Sequence, residues 1–449
     1  MPEDLKLTRY LVVSDGLNVA ETGHCYRTLF STRSGAVLVV REEMWQLLKC
    51  GSIEQLPVPT RQRFVDALVL VPEHEDELTA VVIENEKAID ANDVLYEVIQ
   101  PTAWCQLDCH YCGQEHAHHM LSRSEQEQLL ARLNARLSSG KYRQLKVGWF
   151  GSEPLAGLPV IRSLSPRLRR TAEAFSCNYS ARIVTNGMAL TPKIAAELIA
   201  LSVQEAEVTI DGLEGDHDAR RYTKGGKGTF KQIFANVCAT ARTTELGLAI
   251  RCNVDGRNAE GVRSLIELIA EKGLAGRVRF YVSPVYSWGN DAHEAALDKK
   301  SFAEMEMEWL ALQIRLGFNV GILPPRRKIV CMAVQKEAEV LDAYGTTFNC
   351  TEAPYVPAYG KPNVYSIRFV RNAGDRNCVT GHDAPLLLRT FNQQLLHKEH
   401  TQCFDCAMLP VCGGQCPKAW HEGHSPCPSA KENMPQRLNV LFALGHNNG

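Results

Sequence analysis

The sequence predicts an α/β chain, and two patterns carry that prediction. Between residues 95 and 320, short β-branched or aromatic runs alternate six times with helix-length amphipathic stretches. Such alternation implies parallel strands joined by right-handed crossovers, either a doubly wound sheet or an incomplete (β/α) barrel. The flanks lack it: residues 1–94 are strand-rich, and residues 321–435 are dense in Cys, Pro and Gly. The 449 residues are 45% apolar and 22% charged, the composition of a globular chain with a real core. Lys plus Arg number 49 against 51 for Asp plus Glu, so no global electrostatic case for nucleic acid or a membrane surface exists. No run approaches the roughly 18 apolar residues of a membrane span. The acidic start Met1-Pro2-Glu3-Asp4 has no apolar run behind it, so a cytoplasmic location is expected.

In chain order, Tyr10–Val13, Tyr26–Ser31 and Ala36–Val40 read as short antiparallel strands, with Arg33-Ser34-Gly35 as a turn. Glu42–Lys49 and Thr60–Leu70 read as helices, completing a small α+β module over 1–94. The six buried strands are expected at Tyr96–Ile99, Lys146–Phe150, Arg182–Thr185, Val208–Ile210, Ala249–Val254 and Val278–Val282. Between them, Ser124-x-x-Glu127 reads as a capping box before Leu129, Leu133 and Leu137. Thr191-Pro192 supplies an N-cap and N1 proline before Ala195, Leu198 and Ile199. Phe230, Ile233, Phe234 and Val237 form one further apolar face, and Val262, Leu265, Ile266 and Ile269 another. Lys224–Phe230 lacks the spacing of a phosphate loop and reads as a lead into a helix. Past about residue 325 periodicity fades. That region is expected to need metal to fold, with 436–449 as a polar tail.

The chemistry is signalled by 16 cysteines in a chain without an export signal, where disulfides are disfavoured and metal or redox roles favoured. Three lie within Cys105-x3-Cys109-x2-Cys112, on the loop after the first strand of the alternation. Three thiolates there can hold three corners of a 4Fe–4S cluster and leave one iron open. Zinc is the competing reading, with His116, His118 or His119 as a fourth ligand; otherwise those histidines are loop residues facing solvent, one of them near a substrate. A second group comprises Cys331, Cys350, Cys403, Cys406, Cys412, Cys416 and Cys427, including the run Cys412-Gly-Gly-Gln-Cys416-Pro. A zinc ribbon could use Cys403, Cys406, Cys412 and Cys416. Cys25, Cys50, Cys177, Cys238 and Cys252 read as core thiols.

CxxxCxxC with Tyr111 before its third cysteine resembles the radical S-adenosylmethionine (SAM) enzymes, and the ends of later strands extend the likeness. Gly151-Ser152-Glu153-Pro154 resembles the family's GGEP segment, with Ser152 in place of a glycine. Val184-Thr185-Asn186-Gly187 resembles its TNG segment, and Asp211-Gly212 with His217-Asp218-Ala219-Arg220-Arg221 its DG…HDxxR segment. The seven later cysteines resemble the SPASM extension of that family. The resemblance implies a partial (β/α)6 barrel over 95–320 and a SPASM domain over 321–435. Cys105, Cys109 and Cys112 would hold the SAM-binding 4Fe–4S cluster, and Tyr111, Gly151, Ser152, Glu153, Thr185, Asn186 and Arg221 would contact SAM. Glu153 is expected at the SAM amino group, Thr185 or Asn186 at the ribose, and Arg221 at the carboxylate. Cys403, Cys406, Cys412 and Cys427 would hold a distal auxiliary 4Fe–4S cluster, and Cys331, Cys350 and Cys416 a proximal one. Full ligation of three such clusters takes eleven protein ligands; the motifs supply ten, and Cys378 is the candidate for the last.

The resemblance further implies reductive cleavage of SAM to a 5′-deoxyadenosyl radical that abstracts hydrogen from a precursor peptide, the chemistry of ribosomal-peptide maturases. A flavodoxin or ferredoxin would serve as reductant. The N-terminal module looks like the winged-helix, leader-binding module of such maturases, which could capture a peptide by strand addition. Two other readings fit the same motifs: maturation of a folded protein, as in anaerobic sulfatase-maturating enzymes, and a non-catalytic iron–sulfur electron carrier or binding partner.

Overall fold

A computed structural model describes residues 4–19, 22–287, 289–368, 383–397 and 402–446. Cys378 lies outside them.

The N-terminal module contains strands β1 (Leu5–Leu7), β2 (Leu11–Val13), β3 (Leu17–Val19), β4 (His24–Ser31) and β5 (Val37–Arg41). Helices α1 (Glu42–Lys49) and α2 (Val58–Asp66), strand β6 (Leu70–Pro72) and helix α3 (Glu77–Asp90) follow. Strand β4 pairs antiparallel with β2, β3 and β5, while β1 pairs with β6. The expected second helix stops at Asp66 because Leu68 takes a left-handed φ of 51°, and Leu70 then opens a strand. Helix α3 was not expected. Asp76 caps it through the Thr79 amide, and it buries Leu78, Val81, Val82 and Ile89.

The alternating region forms as the sequence implies: β7 (Val94–Ile99), α4 (Arg123–Leu137), β8 (Gln144–Trp149), α5 (Leu158–Ala174), β9 (Asn178–Thr185), α6 (Pro192–Ala200), β10 (Val203–Thr209), α7 (Glu214–Arg220), α8 (Phe230–Thr243), β11 (Gly247–Val254), α9 (Val262–Glu271), β12 (Val278–Pro284) and α10 (Lys299–Arg315). Strands β7 to β12 are parallel and adjacent in strict chain order. A doubly wound sheet reverses its order at a switch point, so an unreversed row decides for the incomplete-barrel topology. The capping box of α4 is Ser122 with Glu125, two residues earlier than expected. Both serines carry a glutamate three residues on; Glu127 instead pairs with Arg123 and Arg167. Thr191 caps α6 as expected, although Ile199 is 38% exposed.

The cysteine-rich region extends the same sheet. Strand β13 (Glu339–Leu341) lies parallel to β7, followed by antiparallel β14 (Thr347–Phe348) and β15 (Ser366–Arg368). Helices α11 (Asp383–Arg389), α12 (Phe391–Leu396), α13 (Leu409–Cys412), α14 (Pro417–His421) and α15 (Ala430–His446) complete it. The expected tail from 436 is thus helical to His446, with Arg437 bonded to Glu306 of α10 and to the Ile322 carbonyl. Met332, Val340, Phe348 and Tyr365 form a small core against Val98 of β7, while other apolar residues of the region share cores with the N-terminal module. Tyr10, Leu78 and Val81 pack with Phe391, Leu395 and Trp420, and Phe30 packs with Met408, Val411, Met434 and Leu438.

Candidate functional site

Parallel strands place their C-terminal ends, and the loops that leave them, at one end of the sheet. A cavity of about 200 Å³ opens there, lined by Cys105, Cys109, Tyr111, Cys112, Gly151, Ser152, Thr185, Asn186 and Arg221. Of the residues expected at SAM, only Glu153 is missing from the wall. It is buried between the ends of β8 and β9, where its carboxylate accepts from the Thr185 hydroxyl (2.6 Å), the Asn186 amide (2.7 Å) and the Leu155 amide (2.9 Å). Through these bonds Glu153 fixes the backbone that presents Thr185 and Asn186.

Tyr111 ties the cysteine loop to the neighbouring strand ends. Its hydroxyl donates to Asp211 (2.6 Å) and accepts from Arg221 (2.6 Å) and Asn253 (3.0 Å). The adjacent arginines divide the work. Arg220 turns into the protein, bonding Asp255 at 2.7 Å and the Asn253 carbonyl. Arg221 lines the cavity and leaves its Nε without a partner. His217 is fully buried between the Asp211 amide and Thr229, and burial with two nearby arginines pushes its imidazole down to about 3, so it stays neutral. Among the loop histidines, His116 lines the cavity, His118 stacks on Trp104 and His119 on Tyr344.

The three loop thiols fit an iron centre. Burial pushes Cys105 up to about 12 and Cys109 up to about 11, and raises Cys112. Such thiols become thiolates only against a strongly cationic partner, which a bound metal centre provides. Cys105 Sγ also accepts the Leu107 amide (3.4 Å) and lies 3.8 Å from Asn186 Nδ2, contacts of the kind that tune cluster sulfurs.

The later cysteines fall into two neighbourhoods. Cys416 is within electrostatic reach of both Cys331 and Cys350, each buried and pushed upward. Cys406 and Cys427 bear likewise on Cys412, and Cys403 packs beside Gly414. Cys331, Cys412 and Cys416 each accept a backbone N–H from two or three residues on, at 3.3 to 3.5 Å. Of the expected core thiols, Cys177, Cys238 and Cys252 are buried, whereas Cys25 is half-buried and Cys50 exposed. Among the described residues, no three Cys, His, Asp or Glu side chains converge as donors to a single metal ion.

Part of the cavity lining was missed by motif reading. Glu207 and Thr209 of β10, Arg251 and Asn253 of β11, Tyr286, and Glu352 and Val356 from the cysteine-rich region close the cavity. A signal existed: Glu205, Glu207 and Thr209 occupy alternate positions of a strand, as do Arg251 and Asn253, so each set shares one face.

Comparison with known proteins follows this geometry. Residues 99–273 match the radical SAM superfamily. A 103-residue stretch is 33% identical to the AdoMet-dependent heme synthase of Methanosarcina barkeri (strain Fusaro / DSM 804), 23% of this chain and 28% of that relative's length. Among solved structures, native anSMEcpe with bound AdoMet superposes with a TM-score of 0.58 at 16% identity, covering 78% of this chain and all of the other. Native anSMEcpe with AdoMet and the Cp18Cys peptide gives 0.57, also at 16% identity, covering 78% and 99%. At that identity the likeness is one of fold.

Proposed function

We propose, on the premise that residues 99–273 form a radical SAM domain, that the chain is a peptide-modifying maturase with auxiliary clusters. The observation that carries this reading is one cavity lined by the thiols of Cys105, Cys109 and Cys112, by Arg221 and Asn186, and by further polar strand-end residues. A 4Fe–4S cluster and SAM held there would supply, on one-electron reduction, a 5′-deoxyadenosyl radical able to take hydrogen from unactivated carbon. Cys105, Cys109 and Cys112 would hold the iron. The forked guanidinium of Arg221, with its free Nε, suits a carboxylate. Tyr111 fixes Arg221, and Glu153 fixes the Thr185-Asn186 turn against the nucleoside. The Cys331/Cys350/Cys416 and Cys403/Cys406/Cys412/Cys427 neighbourhoods suit two auxiliary clusters in a SPASM domain, and Cys378 is the candidate eleventh ligand.

A peptide substrate is supported by the N-terminal sheet, where strand β5 has one side without a partner strand among the described residues. Such an edge can take an added strand. The peptide-bound anSMEcpe structure is a precedent on a similar fold.

Anaerobic reconstitution with iron and sulfide, followed by assay for 5′-deoxyadenosine with a reductant, tests the chemistry. Product is expected from the native chain and lost in the Cys105→Ala/Cys109→Ala/Cys112→Ala variant, which should still bind about eight irons in two auxiliary clusters. No product from the native chain overturns the reading. Co-expression with a candidate precursor, followed by a change in its mass, tests the peptide substrate.

A further inference from the structure

The part of the cysteine loop that lines the cavity does not end at Cys112. Gly113, Gln114 and His116 line it too, although residues 113–116 belong to neither helix nor strand. Two hydrogen bonds tie this stretch to the cysteine-rich region, and they land on neighbouring residues. The Glu115 amide donates to the Tyr355 carbonyl at 2.8 Å, and Gln114 Nε2 donates to the Pro354 carbonyl at 3.2 Å. An exposed Glu115–Lys361 pair at 3.8 Å adds little.

Tyr355 presents its carbonyl from an unusual backbone. Its φ is 65°, in the left-handed region that residues with a Cβ seldom enter. The side chain anchors it there. The Tyr355 hydroxyl accepts the Ala343 amide at 2.7 Å, and the ring stands edge-on to that of Tyr344, with centroids 6.1 Å apart. Tyr344 in turn stacks on His119, 4.2 Å between centroids, further along the cysteine loop. The contacts close a circuit from Glu115 through Tyr355 and Tyr344 back to His119. Glu352 and Val356, on either side of Tyr355 in sequence, line the cavity as well. A backbone outlier persists where its surroundings over-determine it, and such outliers cluster at functional sites.

We propose that Tyr355 is a positioning residue for SAM: its left-handed backbone sets where residues 113–116 stand and so completes the seat begun by Cys105, Cys109 and Cys112. The role rests on the reading that SAM occupies this cavity. Tyr355 touches neither iron nor SAM; it acts through the Glu115 amide and, with Pro354, through Gln114. The cysteine-rich region thereby shapes the SAM seat directly, through backbone contacts and without any change in the charge of a side chain.

Two substitutions separate the backbone from the ring. Valine keeps apolar bulk but, being β-branched, is an outlier in the left-handed region; glycine enters that region freely but has no side chain. A backbone role makes Tyr355→Val more damaging than Tyr355→Gly, whereas ring packing alone makes glycine the worse. Calorimetric titration of the anaerobically reconstituted full chain with SAM reads the difference. The Kd is expected to rise about tenfold in Y355V and about threefold in Y355G, with bound iron as in the native chain. Hydrogen exchange supplies a second measurement: the Glu115 amide should be protected in the native protein and exchange faster in both variants. Unchanged Kd in both variants, glycine more damaging than valine, iron lost along with affinity, or an unprotected Glu115 amide in the native protein each overturns the proposal. The last decides even if neither variant folds. Failure of the native protein to bind SAM overturns the reading of the site and this role with it, whereas native binding that ignores Tyr355 overturns this role alone.

Discussion

At the scale of single residues, one hydroxyl has unusual leverage. Tyr111 belongs to the cysteine loop, but its three partners, Asp211, Arg221 and Asn253, come from two other strand ends. Tyr111→Phe leaves a buried carboxylate and a guanidinium each short of a partner, at a cost of about 1–3 kcal/mol. The expected result is weaker SAM binding by calorimetry with the iron content unchanged, since no sulfur is touched. Arg221→Lys should likewise weaken SAM, because an ammonium cannot reproduce the fork. Arg220→Lys should act on thermal stability instead, through the buried Asp255 pair. The sequence made the cysteines legible because their spacing is itself the chemistry. It singled out Arg221 over Arg220 by resemblance alone, since neighbours differ only in which way the backbone turns them. It also expected Glu153 at the ligand, where the structure shows its carboxylate bonded to the adjoining turn. Glu207, Arg251 and Glu352 belong to no motif. Only the period of two along the strands hinted at the first two, and only folding brings Glu352 to them.

At the scale of elements, a buried charge network joins the cysteine-rich region to the barrel. Glu97 of β7 and Glu339 of β13 are register partners on adjacent parallel strands, and Arg136 of α4 bonds both. Burial and the neighbouring Glu339 push Glu97 up to about 8, against the pull of Arg136. A carboxyl raised on folding stabilises fully below its unfolded value of 4.5, and that contribution is lost as pH rises through about 8. Denaturant titrations should therefore show the native-minus-Glu97→Gln stability difference falling between those limits; a pH-independent difference contradicts this account. Removing Arg136 takes the bonded guanidinium from Glu97 and leaves Glu339 with Arg132 alone, so Arg136→Ala is expected to cost about 3–5 kcal/mol in the same measurement. The Cys412–Cys416 loop depends on glycine for a steric reason. At Gly414, with φ of 82°, a Cβ would meet the Phe391 ring at 2.7 Å. Gly414→Ala should lower bound iron by about four atoms per chain, read by colorimetric iron assay, if one auxiliary cluster depends on this loop. The six barrel strands were legible because each carries β-branched or aromatic residues in a short run between helical patterns. Strands β13 to β15, of two or three residues, are too short to display a period, and α3 was overlooked although Asp76 and its apolar positions marked it.

At the scale of the whole molecule, the sequence divides into three consecutive blocks, but the packing does not respect the divisions. The barrel has its own large core between sheet and outer helices. The other two regions finish one another: Arg9 reaches Asp405 and the Phe404 carbonyl, Thr32 bonds the Ala407 carbonyl, and Arg326 bonds Asn85. The low apolar period after residue 325 led to the expectation that the cysteine-rich stretch has no core of its own, yet Met332, Val340, Phe348, Tyr365 and Leu388 form a small core against Val98, and the opposite end of the chain seals much of the rest. Replacing Leu438, fully buried beside Phe30 and Met434, with Ala should cost about 2–5 kcal/mol in denaturant melts and loosen the N-terminal module along with helix α15. This shared core also sets an order of events during synthesis. Phe30 leaves the ribosome some four hundred residues before Leu438, so the N-terminal module waits, partly unsealed, until helix α15 arrives. Contacts of such long sequence separation form slowly. Met408 and Val411, beside Cys406 and Cys412, belong to the same core, so the loops bearing those cysteines take their final shape only with that late closure.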